Sequence, residues 1–317
     1  MLLDRKSEEA CSFPNWYPQF SNFALESVVV PIDEQVFDYL LEDSTLVLPK
    51  EAYVNLKKDE FFEQEGECLD ENDTENDEVE IEQPSFPSFS EALSQALTSL
   101  GGEVFIKLNW SSPMDASWIT SNKSLKCTTL EDMYLLLKSS DILAKELAHI
   151  KEAQNMGTTN GCVVIKRWCD IFPEHEFRCF VTGHKLVGIS QRDYKTYYGY
   201  IAHQKFIIRE DIVKFFAENI RGKFPVENYT FDILRISRNK IKIIDFGPFV
   251  AKRTNTLLFT WEELQDLPNS NEDDVLTPEF RFLGENPGFQ LNHYRHYGLP
   301  QDLEQLRQES DVQMMFQ

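Results

Sequence analysis

With 317 residues, 42% of them hydrophobic and 13% aromatic, the chain can bury one large core or two modest ones. A formal charge of −22 repels nucleic acids and anionic membranes, so neither is an expected partner and any phosphate site must be a local basic pocket. Much of that charge is local, because residues 59–82 hold 13 acids and no Lys or Arg, leaving about −9 for the remainder.

Met1 to Glu9 lacks the apolar run of a signal peptide, and no stretch approaches the roughly 18–20 apolar residues of a membrane span. The six cysteines (Cys11, Cys68, Cys127, Cys162, Cys169, Cys179) contain no C-x-x-C pair, as expected of reduced thiols in a cytoplasmic protein.

In chain order, Cys11 to Leu48 reads as a first ordered segment. Val28-Val29-Val30 is a short buried strand, and Asp33 begins a helix with Val36, Leu40 and Leu41 on one face. The acidic run 59–82 is too charged to bury and reads as a disordered insertion. Ser90 is the expected N-cap of a helix carrying Leu93, Leu97 and Leu100 and closing at Gly101-Gly102. Val104 to Trp110 reads as a strand carrying Lys107. Thr129, followed by Glu131 and Asp132, opens a helix through Lys138.

The middle is strand-rich: Val163 to Trp168, Glu176 to Val181 and Leu186 to Arg192, the last two joined at Gly183-His184. Asp211 to Ile220 is helical, with Ile212, Phe215, Phe216 and Ile220 inward and Gly222 beyond its end. Tyr229 to Ile236 and Lys240 to Phe246 form a hairpin, and Thr260 with Glu263 is a capping box. From about Asn269 turn residues dominate, and no internal repeat is visible.

The hairpin carries chemistry. A turn centred on Arg238-Asn239 pairs Ser237 with Lys240, and the same register sets Asp232 directly across from Asp245. Two carboxylates so placed repel unless a divalent cation, a shared proton or a nearby Lys or Arg answers them. Oxygen ligands at a strand end suit Mg²⁺, which keeps waters and bridges to nucleotide phosphates. Strict alternation puts Leu234, Ile236, Ile241 and Ile243 on the aspartates' face, which is therefore expected to be mostly buried.

Cations interrupt several strands: Lys107, then Lys166 and Arg167, then Arg178 beside Glu176, with Gln191 and Arg192 ending the next run. In an acidic protein such cations are expected to meet phosphates or carboxylates; the alternative for each is structural pairing, for example of Glu176 with an Arg. Several sites are excluded. There is no G-x-S-x-G, Walker A or Rossmann glycine fingerprint, and His293 and His296 have no Cys nearby to complete a zinc site. The runs ending at Lys166, Asp193 and Gly247 imitate kinase motifs, but no glycine-rich loop precedes Lys166 and Tyr198 stands where the metal-binding Asn belongs.

Phe13-Pro14-Asn15-Trp16-Tyr17-Pro18, Lys107-Leu108-Asn109-Trp110-Ser111-Ser112-Pro113, Ser124-Leu125-Lys126-Cys127, Glu176-Phe177-Arg178-Cys179-Phe180-Val181, Gly188-Ile189-Ser190-Gln191-Arg192-Asp193-Tyr194 and Leu257-Leu258-Phe259-Thr260-Trp261 together resemble the cell division cycle protein 123 family. They span about residues 11 to 265.

The resemblance implies an α+β, ATP-grasp-like fold of two lobes whose mixed and antiparallel sheets enclose an ATP–Mg²⁺ cleft. It also implies a monomeric chaperone, without chemical turnover, that assembles translation initiation factor 2 by binding the carboxyl-terminal domain of its gamma subunit. The alternatives are an ATP-grasp carboxylate–amine ligase and a nucleotide-free scaffold. By position it implies nucleotide contacts from Lys107, Asn109, Trp110, Ser111, Asp115, Arg167, Trp168, Glu176 and Arg178. Lys166 and Gln191 join them from the strand-borne set, and Asp232 and Asp245 match the metal ligands. The family reads Asp-Phe-Asn-Pro-Phe where this chain reads Asp245-Phe246-Gly247-Pro248-Phe249, so the third-ligand position, Gly247, has no side chain. An extra water, or Lys252 and Arg253 acting on phosphate, is the expected compensation. The expected organisation is a first lobe of 1–58 and 84–160 interrupted by the insertion 59–83, a second lobe of 161–268 with the metal hairpin, and an irregular segment 269–317.

Overall fold

The structure, a computed structural model, describes residues 2–42, 46–53, 83–155, 159–251, 254–266 and 277–284. The acidic run, Lys252, Arg253, His293 and His296 lie outside the described residues.

Helices α1 (Leu2–Ala10) and α2 (Phe13–Phe20) precede strand β1 (Ser27–Pro31) and helix α3 (Glu34–Leu41). Asp33 caps α3 as expected, accepting the Val36 N–H at 2.9 Å. Next come α4 (Pro87–Ser99), β2 (Val104–Lys107), β3 (Lys126–Cys127), α5 (Leu130–Ser139), α6 (Asp141–Asn155) and β4 (Cys162–Arg167). Ser90 does not cap α4. The helix starts at Pro87, whose fixed φ suits a first turn, and Ser90 is buried against the Tyr134 hydroxyl at 2.7 Å. At the other end Gly101 and Gly102 take positive φ, the conformation that closes a helix and that other residues adopt only with strain. The strand expected to reach Trp110 ends at Lys107, where Leu108 N–H turns back to Ser111 O at 2.9 Å. Thr129 and Asp132 form a reciprocal capping box on α5.

The rest is β5 (Glu176–Thr182), β6 (Lys185–Gln191), α7 (Gly199–Asn219), β7 (Tyr229–Ser237), β8 (Lys240–Pro248), α8 (Trp261–Asp266) and β9 (Glu279–Arg281). Helix α7 is twice the expected length. Asp211, read as its first residue, is a buried acid in its middle that pairs with Arg235.

Two sheets organise these elements, in the orders β1-β4-β2-β3 and β8-β7-β5-β6-β9; the named strands pair antiparallel except β6 with β9. The α+β, two-sheet architecture is therefore the expected one. Strand β4 lies inside the first sheet, between β1 and β2, so that sheet extends past the boundary expected at residue 160. Its unbroken apolar run suits a strand buried on both faces. Val163 and Ile165 enter a core with α3 to α6, while Cys162 and Val164 enter a second core shared with α2, α7 and the second sheet. Strand β9 brings order to part of the segment expected to be irregular. Cys11, Cys127, Cys162, Cys169 and Cys179 are free thiols. Among the described residues no helix is long and apolar enough to cross a membrane.

The hairpin register is subtler than simple arithmetic. Ser237 pairs with Lys240, but the pairing shifts to Arg235 with Ile241, Leu234 with Lys242 and Ile233 with Ile243. A second irregularity then restores Asp232 opposite Asp245, Phe231 opposite Phe246 and Thr230 opposite Gly247. One extra residue on each strand, Ile236 and Ile244, cancels the other. The cancellation preserves the aspartate pair and changes its company. Ile243 faces the core with Ile233, away from Asp245, Ile241 follows it, and Ile236 is exposed. Leu234 remains on the aspartates' face, buried opposite Glu176, but that face is otherwise polar rather than apolar.

Candidate functional site

Five strands, and the end of a sixth, deliver charge to one junction between the sheets. Lys107 at the end of β2 and Lys166 on β4 project from the first sheet on the side of Val164. Phe13, at the start of α2, lies beneath both, its ring centre 5.6 Å from Lys107 Nζ and 4.9 Å from Lys166 Nζ. Asn109 fixes this arrangement. It donates to Ser12 Oγ and Asn160 O at 3.0 Å each and accepts the Cys162 N–H at 3.0 Å.

The second sheet answers with Glu176 and Arg178 on β5, Arg192 just beyond β6, Asp232 on β7 and Asp245 on β8. Arg178 grips Asp232 with two parallel bonds of 2.7 Å and gives a third N–H to Asn255 O at 3.1 Å. Lys107 pairs with Asp245 across the two sheets. Lys166 donates to Ile244 O, the carbonyl of the extra residue on β8, at 2.6 Å. Of the three answers to carboxylate repulsion, the structure shows nearby Lys and Arg side chains.

The pairing leaves a surplus. Four cations (Lys107, Lys166, Arg178, Arg192) face three acids (Glu176, Asp232, Asp245). Burial, then Asp232, pushes the Glu176 carboxyl up to about 7 against the pull of Arg192 and Arg178, so it is partly neutral near pH 7. Burial also favours neutral Asp232, but Arg178 and Arg192 outweigh it and hold the carboxyl below its usual range. Burial lowers the Lys166 ammonium to about 8; Asp245 opposes the shift and Lys107 reinforces it. Arg192 Nε is buried without a hydrogen-bond acceptor among the described residues; it lies 3.5 Å from Asp232 and 4.0 Å from Glu176. A cluster of four cations in a protein of charge −22, one of them with an Nε that lacks a hydrogen-bond acceptor among the described residues, is suited to an anion.

Several expected residues lie elsewhere. Arg167 follows Lys166 and so emerges on the opposite face, half-exposed, donating to Leu100 O at 3.1 Å and pairing with Glu26 at 3.2 Å. Trp168 donates to Asp170 at 3.1 Å and stacks under Lys126. The Trp110 and Ser111 backbone N–H groups are consumed by Glu146 at 3.0 and 2.7 Å, and the Trp110 ring N–H goes to Glu8 O. Burial raises the Glu146 carboxyl despite those bonds. Asp115 receives Ser140 Oγ and the Ile142 N–H, tethering its loop to the start of α6. Gln191 faces away from Arg178, its amide donating to Asp193 O and Thr196 O and accepting from Leu283 N. Arg192, a strand-end cation in the sequence, and Phe13 stand at the junction although neither is among the expected nucleotide contacts.

For a metal, the hairpin offers the paired carboxylates of Asp232 and Asp245, with the Glu176 carboxyl nearby on β5. Among the described residues no group of three or more His, Cys, Asp or Glu could hold an ion. Two carboxylates suit Mg²⁺ that arrives with phosphate oxygens and waters, and they fit poorly a cation bound by protein alone.

A family model, D123, matches residues 16–307. A Xenopus laevis protein called translation initiation factor eIF2 assembly protein is 43% identical over 95% of this chain and 92% of its own length. Its Xenopus tropicalis counterpart is 41% identical over 95% and 92%. The structure of Cdc123 from Schizosaccharomyces pombe superposes with a TM-score of 0.66 at 29% identity, covering 89% of this chain and 98% of that one. The chain belongs to the D123 family.

Proposed function

We propose that the chain is an assembly chaperone for translation initiation factor 2 that binds ATP–Mg²⁺ at the junction of its two sheets and engages the carboxyl-terminal domain of the factor's gamma subunit. The relatives' shared name supports the assembly role. The observation that carries the nucleotide is the surplus of cations, drawn from both sheets, with an Arg192 Nε that has no hydrogen-bond acceptor among the described residues.

Lys107, Lys166, Arg178 and Arg192 would neutralise phosphate, while Asp232 and Asp245 would hold the metal, whose contribution is charge neutralisation between phosphate oxygens. In the ligand-free arrangement the two sets occupy each other. Asp232 and Asp245 would therefore be free to hold Mg²⁺ only where phosphate takes up Lys107 and Arg178, which favours joint binding of metal and nucleotide. Because the lysines and the arginines stand on different sheets, a phosphate gripped by both ties the lobes into one orientation, a means of presenting a fixed surface to a protein partner.

The test has two arms. ATP, with Mg²⁺, is expected to increase recovery of the gamma subunit by the immobilised protein, and equal recovery without nucleotide would remove the coupling. Asp232→Ala is expected to abolish the Mg²⁺-dependent part of ATP binding; unchanged binding would remove Asp232 from the metal.

A further inference from the structure

Gly247 lacks the side chain that the family's motif places at the third metal-ligand position, and the structure shows what stands there instead. Thr230 is directly paired with Gly247 as Asp232 is with Asp245, with no register shift between the two pairs. The four residues therefore occupy the corners of one patch on one face of the hairpin. Three corners bear side-chain oxygens.

The fourth is bare, but its space is taken. A Cβ at Gly247 would lie 2.8 Å from Thr230 Oγ1, closer than side chains tolerate. Thr230 is buried, and its hydroxyl points at the Gly247 backbone, donating to Gly247 O at 3.2 Å. That donation fixes the hydrogen and leaves the oxygen lone pairs directed elsewhere. A threonine hydroxyl with its hydrogen committed is a competent Mg²⁺ ligand, as the Ser or Thr of P-loop nucleotide sites shows.

We infer that Thr230 Oγ1 supplies the protein oxygen that Gly247 lacks, so that the hairpin holds Mg²⁺ by Asp232, Asp245 and Thr230. The inference rests on the metal–nucleotide reading of this site. The small residue at 247 is then required: it is the space that lets the Thr230 hydroxyl occupy that corner. A merely structural Thr230, bonded to its neighbour's carbonyl and nothing else, would leave metal binding indifferent to it.

The test is calorimetric titration of ATP into the full chain, in Mg²⁺ and again in EDTA, with Mn²⁺ resonance as a second readout of the metal. Thr230→Val removes the oxygen at constant shape and is expected to weaken Mg²⁺-dependent ATP binding about tenfold, leaving binding in EDTA unchanged. Thr230→Ser keeps the oxygen and is expected to stay close to wild type. Gly247→Ala adds one carbon that displaces the hydroxyl, and is expected to weaken binding as Thr230→Val does; it tests the same point should the valine variant fail to fold. Gly247→Asn is expected not to tighten binding with Thr230 in place, but to do so in the Thr230→Ala background, where the corner is free. Equal Mg²⁺-dependent affinity in wild type and Thr230→Val, or tightening by Gly247→Asn alone, would overturn the inference while leaving the nucleotide site standing. No Mg²⁺-dependent binding by wild type would overturn both.

Discussion

Strand β7 carries two arginine–aspartate pairs, three positions apart and hence on opposite faces. On the α7 face Arg235 donates to Asp211 at 2.8 and 2.6 Å and spends another N–H on the Tyr200 hydroxyl at 2.6 Å. Both partners are almost wholly enclosed, at 2% and 3% side-chain exposure, one charge answers one charge, and three donors are committed. On the other face Arg178 grips both oxygens of Asp232 at 14% and 12% exposure, but Arg192, Lys107 and Lys166 crowd in, and Arg192 Nε has no hydrogen-bond acceptor among the described residues. Identical chemistry serves two purposes according to what surrounds it. A closed, balanced pair has nothing to exchange and fixes the fold, while an oversupplied, partly open one can trade partners with a ligand.

The largest effect expected from breaking this contrast is on stability. Asp211→Asn strands a buried guanidinium and is expected to cost about 3–5 kcal/mol in urea unfolding, without altering the nucleotide affinity of the folded protein. An unchanged unfolding midpoint would mean that the enclosed pair does not secure α7. Arg192→Met is expected to do the reverse. Its guanidinium is held loosely, so stability should move by no more than about 1 kcal/mol, whereas affinity for ATP–Mg²⁺ should fall about tenfold. A variant that loses stability but keeps affinity would reverse the roles of the two faces.

A third expectation concerns metal alone. Because Lys107 and Arg178 already occupy the carboxylates, millimolar Mg²⁺ without nucleotide should leave the thermal midpoint where it is. ATP with Mg²⁺ at a hundredfold excess over Kd should add about 2.7 kcal/mol of stability. A shift with Mg²⁺ alone would indicate a preformed cation site.

The smallest effect is with pH. Glu176 titrates near 7 and Lys166 near 8. Between pH 7 and 9 the first gains negative charge and the second loses positive charge, so both changes oppose phosphate and affinity should fall several-fold. Glu176→Gln should flatten the lower part of that curve, and affinity that rises with pH would contradict the surplus-cation picture. The same groups act on folding with opposite trends. The stability associated with a raised Glu176 is present below its unfolded value and lost as pH rises through about 7. The penalty of burying charged Lys166 is relieved as pH rises from about 8 toward its unfolded value.

Much of this was legible in the sequence because strand periodicity and turn position are local. The turn at Arg238-Asn239 gives the aspartate pairing because two one-residue slips cancel before it, and the same register sets Thr230 opposite Gly247. The faces were less legible. Ile236 and Ile244 each slip the ladder by one residue, and a slip that restores the register further along still reverses the β8 residues 241–243 relative to Asp245. Placement across the chain was least legible. That Asn109 would be spent pinning α2, or Glu146 would consume two N–H groups of the 110–111 turn, depends on contacts between residues dozens of positions apart, which no local pattern encodes.

The most direct measurement is a calorimetric titration of ATP with Mg²⁺ into the wild-type chain beside Arg192→Met and Asp211→Asn. The open face of β7 as a nucleotide site predicts one ATP per chain, a loss of affinity in Arg192→Met and wild-type affinity in folded Asp211→Asn. No heat of binding up to millimolar ATP would contradict it.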